Sequence, residues 1–317
     1  MMVAAGGGNI SLKVDGRRMI IKASGTDLSA VTDTLGHVTV DYQLIGEYIK
    51  KVSGNSELDE KEYGENIKKS VVGKQSFRPS IETGFHALLG PAIIHTHPVL
   101  VNAVVCCREG RRIIEKIFGR DVLWVSYAAP GLELSVEILK KIGEAQPDLE
   151  KTVCLFLENH GLIVSGPDLA ECVKTTYEVN NKIREYVKNE GMKMYEHESA
   201  ASIQEKGGLS KLVAAFMEDE NNMRLLEGFI FPDAIVYCGC GFTANQKDAS
   251  KISLSPAGLI ALPDKIASSR EKTIETVVTI IHTLMLAKQA GEPKFLEEKE
   301  VDIVRNMTGE KYRQKIK

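Results

Sequence analysis

The chain has 317 residues, 43% of them hydrophobic and 26% charged, with a formal net charge of -3 at pH 7. At ~100–200 residues per domain this length predicts two domains and a sizeable core, and the ordinary composition excludes a disordered or fibrous chain. A near-balanced charge with scattered Lys and Arg excludes global attraction to nucleic acid or an anionic membrane, so any anion site is local.

No stretch reads as a membrane span, and the opening MMVAAGGGN lacks the basic start and apolar core of a signal peptide, which predicts a cytoplasmic protein. Six Cys, two of them adjacent at Cys106-Cys107, predict reduced thiols rather than a disulfide framework. Cys238-Gly239-Cys240 has no second Cys pair and reads as free thiols rather than a soft-metal site.

In chain order, Gly6-Gly7-Gly8-Asn9 precedes an alternating strand, Ile10 to Val14, which turns at Asp15-Gly16 and returns as Met19 to Lys22, a hairpin with a glycine-rich lip. Ala23-Ser24-Gly25-Thr26-Asp27 follows at the strand end. Backbone N–H groups of such turns form anion-binding concavities, to which Lys13, Lys22, Ser24 and Thr26 add charge and hydroxyl donors. The same residues are commonplace in plain turns. There is no P-loop and no dinucleotide fingerprint, since no Gly-Lys-Ser/Thr is present and no strand precedes the glycines. The polar stretch from Asn55 to Lys69 reads as a solvated loop or exposed helix.

The stretch Arg78 to Pro98, RPSIETGFHALLGPAIIHTHP, carries the densest chemistry. Ser80 after Pro79 is a predicted helix N-cap, with Glu82 and Thr83 in the first turn, Phe85, Leu88 and Leu89 facing inward, and Gly90-Pro91 as the stop. Ala92-Ile93-Ile94 predicts a buried strand, on which His95 and His97 share a face while Thr96 takes the other, and Pro98 ends the ladder. A single His beside an apolar strand is more often a satisfied core residue. Here a second buried-strand pattern, Val153 to Leu157, runs into Glu158-Asn159-His160-Gly161 and sets a third imidazole at a strand exit. Three neutral imidazoles with an open position is the arrangement of catalytic zinc, although the donor set also suits Mn2+, Co2+ or Fe2+. His86, one turn after Glu82, is placed either to orient it or simply to pack.

Further on, Val99 to Cys107 and Glu109 to Phe118 read as helices, Val122 to Val125 as a strand ending at Ser126-Tyr127-Ala128-Ala129-Pro130-Gly131, and Asp168 to Tyr186 as a long amphipathic helix. The sequence turns polar from Glu190 to Gly208. We therefore expect a first domain at 1–195, a linker at 196–208 and a C-terminal α/β extension at 209–317. The extension is predicted to hold helices at Leu209–Glu218, Thr273–Lys288 and Val301–Tyr312 and strands at Ala234–Tyr237 and Gly258–Leu262. His197 and His282 read as surface and core residues.

GGGNISLKVDGRRMIIKASGTDLS, PSIETGFHALL, IIHTHP, SYAAPG and ENHGLIVSG, in this order, resemble the class II aldolase/adducin family over roughly the first two-thirds of the chain. GGNIS, IKASG and RPSIET resemble the branch containing rhamnulose-1-phosphate aldolase domains, and Phe231-Pro232-Asp233 and Glu310-Lys311-Tyr312-Arg313 resemble that branch's C-terminal extension. The resemblance implies a three-layer α/β/α fold with a mainly antiparallel central sheet. It further implies metal ligands His95, His97 and His160, a catalytic Glu82, and substrate phosphate held by Gly8, Asn9, Lys22, Ser24, Gly25 and Ser80. Tyr127 becomes an acid lying across a subunit interface in a homo-oligomer, a tetramer by the same resemblance. The implied activity is lyase cleavage of a sugar ketose 1-phosphate to dihydroxyacetone phosphate and an aldehyde, through an enediolate stabilised by a divalent metal, most readily Zn2+. The alternatives are a sugar-phosphate 4-epimerase or dehydratase on the same site, and a non-catalytic adducin-like interaction domain, against which the intact Glu and three His argue. Two features depart from the family. Family members carry a helix before the Gly-Asn turn, where this chain begins almost at the turn, and the fuculose enzymes have Ser-Ser where this chain has Ser80-Ile81.

Overall fold

The computed structural model describes residues 7–119, 122–245 and 248–307, with the side chains of residues 267 and 268 excepted. β1 (Asn9–Lys13) and β2 (Arg18–Lys22) form the expected hairpin, closed by Asp15, whose carboxylate accepts from the N–H groups of Arg17 at 2.9 Å and Arg18 at 2.6 Å. β3 (His37–Asp41) pairs with β2, and Asp41 then caps α1 (Tyr42–Val52) by accepting from Leu44 N–H. The polar stretch folds as α2 (Glu60–Lys69), its first turn capped by Asp59. There follow α3 (Thr83–Leu88), β4 (Ala92–Thr96), α4 (Val99–Val105), α5 (Gly110–Phe118), β5 (Leu123–Val125), α6 (Leu132–Ala145), β6 (Val153–Leu157), β7 (Gly161–Gly166) and α7 (Leu169–Asn189).

These strands form one seven-stranded sheet in the order β3-β2-β1-β4-β7-β6-β5, antiparallel throughout except for the β5–β6 pair. Alternation along β4 decides what each face meets. Ala92 and Ile94 join a core with α4 and α7, whereas Ile93 packs with Phe85 of α3 and with Leu134 and Ile138 of α6. Beyond that second layer, Ile45 and Ile49 of α1 pack on Tyr63 and Ile67 of α2. Helices on both faces of a mainly antiparallel sheet give the three-layer α/β/α architecture. His95 shares the parity of Ile93 and therefore faces α3, the helix that Glu82 precedes.

The C-terminal third holds α8 (Ala200–Glu205), α9 (Lys211–Met217), α10 (Pro232–Cys238), β8 (Phe242–Ala244), β9 (Ile252–Leu254), β10 (Ile260–Ala261), α11 (Arg270–Ala290) and α12 (Glu298–Asn306), the three strands forming a small sheet of their own. Several expectations change here. Ala234–Tyr237 is helical, not a strand: a short apolar run fits either state, and Pro232 at the first helical position pre-sets the backbone for α10. Residues 196–208 contain α8, with Ala200 and Ile203 buried. Among the described residues the last helix ends at Asn306, and the closing Glu310-Lys311-Tyr312-Arg313, with the end of the expected Val301–Tyr312 helix, lies outside them.

α11 is buried on nearly every side. Ile274, Val277, Val278, Ile281 and Leu284 belong to one cluster with Val101, Val104 and Val105 of α4 and Ile94 of β4. A helix apolar all round is a core helix rather than a surface one. The polar stretch 190–208 thus marks a change of composition, while the buried core runs on across it.

Because Ile281 is fully buried in that shared core, Ile281→Ala is expected to cost about 2–5 kcal/mol. It should lower the midpoint of a single urea transition seen both by far-UV circular dichroism and by the fluorescence of Trp124, which sits in the same cluster. Two separated transitions, with Trp124 unmoved by the substitution, would contradict a common core.

Candidate metal centre

Pairing register assembles the centre. Asn9 of β1 stands opposite His95 of β4, which in turn stands opposite Ile163 of β7. The β1–β2 register (Ser11 opposite Ile21), carried two residues on, sets Asn9 level with Ala23. Both glycine-rich turns therefore lie at the sheet end where His95 and His97 emerge. His160 arrives at that end in the β6–β7 turn, where Leu157 pairs with Gly161 and Asn159 takes the left-handed conformation at φ 51° that Asn tolerates. The turn fits closely: a Cβ on Gly161 would lie 2.5 Å from the Thr96 carbonyl oxygen and 2.8 Å from His97 Cδ2.

His95 meets His97 and His160 edge to face, with ring centroids 4.7 Å and 4.9 Å apart, and His97 and His160 are tilted to each other at 5.0 Å. One nitrogen from each lies within 4.8 Å of the others. His95 Nδ1 donates to the Leu162 carbonyl at 2.9 Å, and His97 Nδ1 donates to Asp233 Oδ2 at 2.9 Å. Both partners are acceptors, so in the neutral rings each Nδ1 carries the hydrogen and each Nε2 presents a lone pair. Those two Nε2 atoms are 3.0 Å apart, and neither can donate to the other. The Nδ1 of His160 is buried with no hydrogen-bond partner. Converging lone pairs on neutral imidazoles are the donor chemistry a divalent cation takes, so this set fits a metal.

Glu82 completes the cluster. Its Oε1 lies 3.4 Å from His95 Nε2 and 3.7 Å from His160 Nε2, and its Oε2 accepts from Asn9 Nδ2 at 3.1 Å. The carboxylate is held by the turn before α3 rather than by the helix itself. Glu82 is the N-cap residue; Ser80 Oγ accepts its N–H at 3.2 Å, and the Ser80 carbonyl accepts from Thr83. Ser80, the expected cap, therefore shapes the turn two residues upstream of the observed one, and the helix starts later than the sequence suggests. Tyr63 locks it from α2, donating to the Ile81 carbonyl at 2.7 Å and accepting from Gly84 N–H at 2.9 Å. His86 does not orient Glu82 with its ring: its Nδ1 bonds Ser11 Oγ at 2.7 Å and the ring stacks on Phe85.

The expected phosphate residues are partly gathered. Gly8 and Gly25 take the left-handed backbone, at φ 77° and 80°, that opens such turns. Lys22 is buried with its Nζ on the Thr26 carbonyl at 2.7 Å, the Ser24 N–H is spent on the Arg78 carbonyl, and Lys13 instead caps the end of α3 at the Ala87 and Leu89 carbonyls. Ser24 and Arg78 line a cavity of about 160 Å³ together with Lys61, Lys68 and Tyr63. Lys272 of α11 reaches the same turn, 2.7 Å from Asp27 Oδ1. Within its own chain Tyr127 has a half-buried ring that packs with Ile235, Leu296 and Val301 of the α10–α12 region, and burial of its hydroxyl, which has no hydrogen-bond partner, raises its pKa.

Sequence reasoning missed Asp233 on His97, the two bonds that tie Asn159 to the C-terminal third, and Tyr63. Phe231-Pro232-Asp233 stood out as a motif, but Asp233 meets His97 across 136 residues, and nothing local announces that contact.

Fold and site together define an α/β protein with a three-imidazole centre able to take a divalent cation. Residues 1–187 match the family described as Class II Aldolase and Adducin N-terminal domain, and the chain belongs to that family. It is 29% identical over 191 residues to the uncharacterized oxidoreductase YuxG of Bacillus subtilis (strain 168), an alignment covering 57% of this chain and only 26% of the relative, so the chain spans about a quarter of that protein. Among solved structures it is similar to the N-terminal class II aldolase domain of a conserved Thermoplasma acidophilum protein, with a TM-score of 0.48 and 21% identity over 57% of this chain and 84% of that one. It is also similar to an L-fuculose 1-phosphate aldolase, with a TM-score of 0.39 and 21% identity over 61% and 82% of the two chains. No helix among the described residues is long and apolar enough to cross a membrane.

Burial holds His160 well below the usual imidazole pKa, with the nearby His95 and His97 adding to the effect, and burial lowers His86 to about 3 and His282 to about 4. These rings stay neutral in the folded chain at pH values where the unfolded chain protonates them, at about 6.5. Their contribution to stability is present above that pH and is lost as the pH falls from there toward 4, by up to about 1.4 kcal/mol per ring per pH unit. Urea unfolding of chelator-treated protein at pH 7 and pH 5 should give a clearly lower midpoint at pH 5. Equal midpoints would contradict the buried neutral rings.

Proposed function

We propose that the chain is a divalent-metal-dependent aldehyde-lyase that cleaves a sugar ketose 1-phosphate to dihydroxyacetone phosphate and an aldehyde. The observation that carries this reading is Glu82. It is 4% exposed and lies within 3.7 Å of the Nε2 atoms of both His95 and His160, with its far oxygen steadied by Asn9.

Retro-aldol cleavage places negative charge on an oxygen beside a carbonyl. A divalent cation on His95, His97 and His160 supplies Lewis acidity for that charge, worth several kcal/mol. The remaining work falls to this chain's own groups. Glu82 is placed to exchange a proton at the carbon next to the carbonyl, the general acid–base role that needs a carboxylate within reach of the reacting carbon. Asn9 fixes which oxygen of Glu82 faces the cluster, and the Tyr63 hydroxyl fixes the backbone turn that carries it. Gly8, Asn9, Ser24, Gly25 and Lys22 are the proposed phosphate residues, at the same sheet end. Arg78, beside Ser24, and Lys272, on Asp27, add positive charge there, and Ser80 serves by holding the turn. Zinc suits the three-nitrogen set, and a homo-oligomer in the cytoplasm belongs to the same reading.

The test is to incubate metal-loaded protein with a panel of ketose 1-phosphates and to follow dihydroxyacetone phosphate with a coupled dehydrogenase. Release should be seen with at least one sugar. Glu82→Gln should lower it by about 10²–10⁴-fold, the usual weight of a positioned general acid–base group, with the circular dichroism spectrum unchanged. Isomerised or dehydrated product with no cleavage would replace the lyase by an epimerase or dehydratase, and full activity in Glu82→Gln would remove Glu82 from the mechanism.

A further inference from the structure

Two of the three imidazoles are held from the C-terminal third. His97 gives its Nδ1 hydrogen to Asp233 Oδ2 at 2.9 Å, and both residues are only 8% exposed. The turn carrying His160 is gripped from the same side. Asn159 Nδ2 donates to the Ile230 carbonyl at 2.8 Å and to the Lys294 carbonyl at 2.7 Å, so both of its amide hydrogens are used. Lys294 Nζ also pairs with Glu158 Oε1 at 2.7 Å. Every one of these bonds joins a residue at or beside a ring of the centre to chain beyond residue 229.

A carboxylate that accepts the far N–H of an imidazole fixes the tautomer, aims the other nitrogen and raises its basicity. His95 has a backbone carbonyl in that place, a neutral acceptor, whereas His97 has a full negative charge. His97 follows the last residue of β4 and lacks the ladder bonds that hold His95, so its ring orientation depends more on a side-chain partner.

We propose that Asp233 is the positioning carboxylate of the metal centre. Through Asp233 and the grip on the 158–160 turn, the C-terminal third is a working part of that centre rather than an appendage. The proposal rests on the reading of the three imidazoles as metal ligands. Asp233 touches no substrate; it acts through His97, setting the direction and strength of its Nε2 lone pair.

The test is a competition titration of the full chain with zinc against a chelating indicator, for the wild type, Asp233→Asn, Asp233→Ala and Asp233→Glu, together with urea midpoints of the zinc-free proteins. The wild type should take about one zinc per chain. Asp233→Ala should bind it about 10- to 100-fold more weakly, the range found when the outer partner of a ligating His is lost. Asp233→Asn, which keeps the shape and an accepting oxygen but not the charge, should fall between the two. Asp233→Glu should recover part of the loss. If Asp233→Ala does not fold, Asp233→Asn carries the comparison. Wild-type zinc affinity in Asp233→Asn and Asp233→Ala, with only the zinc-free midpoint lowered, would overturn the proposal and reduce Asp233 to a packing residue while leaving the metal centre standing. A wild type that takes up no zinc at all would overturn the centre and this proposal together.

Discussion

The arrangement at the sheet end turns on two imidazole nitrogens held 3.0 Å apart with nothing to share. In their neutral forms His95 and His97 each commit their one hydrogen to an acceptor on the far side of the ring, so that two lone pairs face one another. Unpaired polar atoms in a buried site cost free energy unless something satisfies them. A divalent cation reached by both rings, and by a nitrogen of His160, satisfies them at once. Holding such a preorganised cluster requires rigidity from the scaffold, and the central strands β1, β4 and β7 provide it, since each is paired on both sides.

That constraint explains several features that are otherwise unconnected. Gly161 is needed because its neighbours His97 and Thr96 leave no room for a side chain. Asn159 sits with positive φ so that its amide can reach two carbonyls of the C-terminal third while His160 turns inward. Tyr63 and Ser80 shape a tight turn so that Glu82 projects at the cluster from just ahead of α3 rather than from within it. α11, buried among α4 and the sheet, anchors the C-terminal third so firmly that Asp233 can serve as a fixed partner to His97.

Much of the centre was legible in the sequence because its signals are local. His-x-His on a buried strand forces both rings to one face, an apolar run ending at Glu158-Asn159-His160 delivers the third, and Asp15-Gly16 sets the β1–β2 register that brings the glycine-rich turns alongside. What was not legible depends on distant contacts. Ala234–Tyr237 carries an apolar pattern compatible with strand or helix, and only Pro232 tilts it toward helix. The packing of Tyr127 against α10 and α12, more than a hundred residues on, has no local signal either. Lys13 and His86 had plausible polar roles by proximity in sequence, and strand pairing gave them to the end of α3 and to Ser11 instead. The polar stretch near residue 200 read as a boundary because composition reports exposure, and it says nothing about which core the following helices join.

The central claim is that His95, His97 and His160 bind one divalent cation through the nitrogens that converge in this fold. The most direct measurement is a crystal structure of the protein grown with zinc, with diffraction data collected on both sides of the zinc absorption edge. The account predicts an anomalous peak about 2.0–2.1 Å from one nitrogen of each of the three imidazoles, the normal zinc–nitrogen distance. A protein saturated with zinc that shows its anomalous peak elsewhere, with the two Nε2 atoms still facing each other, would contradict it.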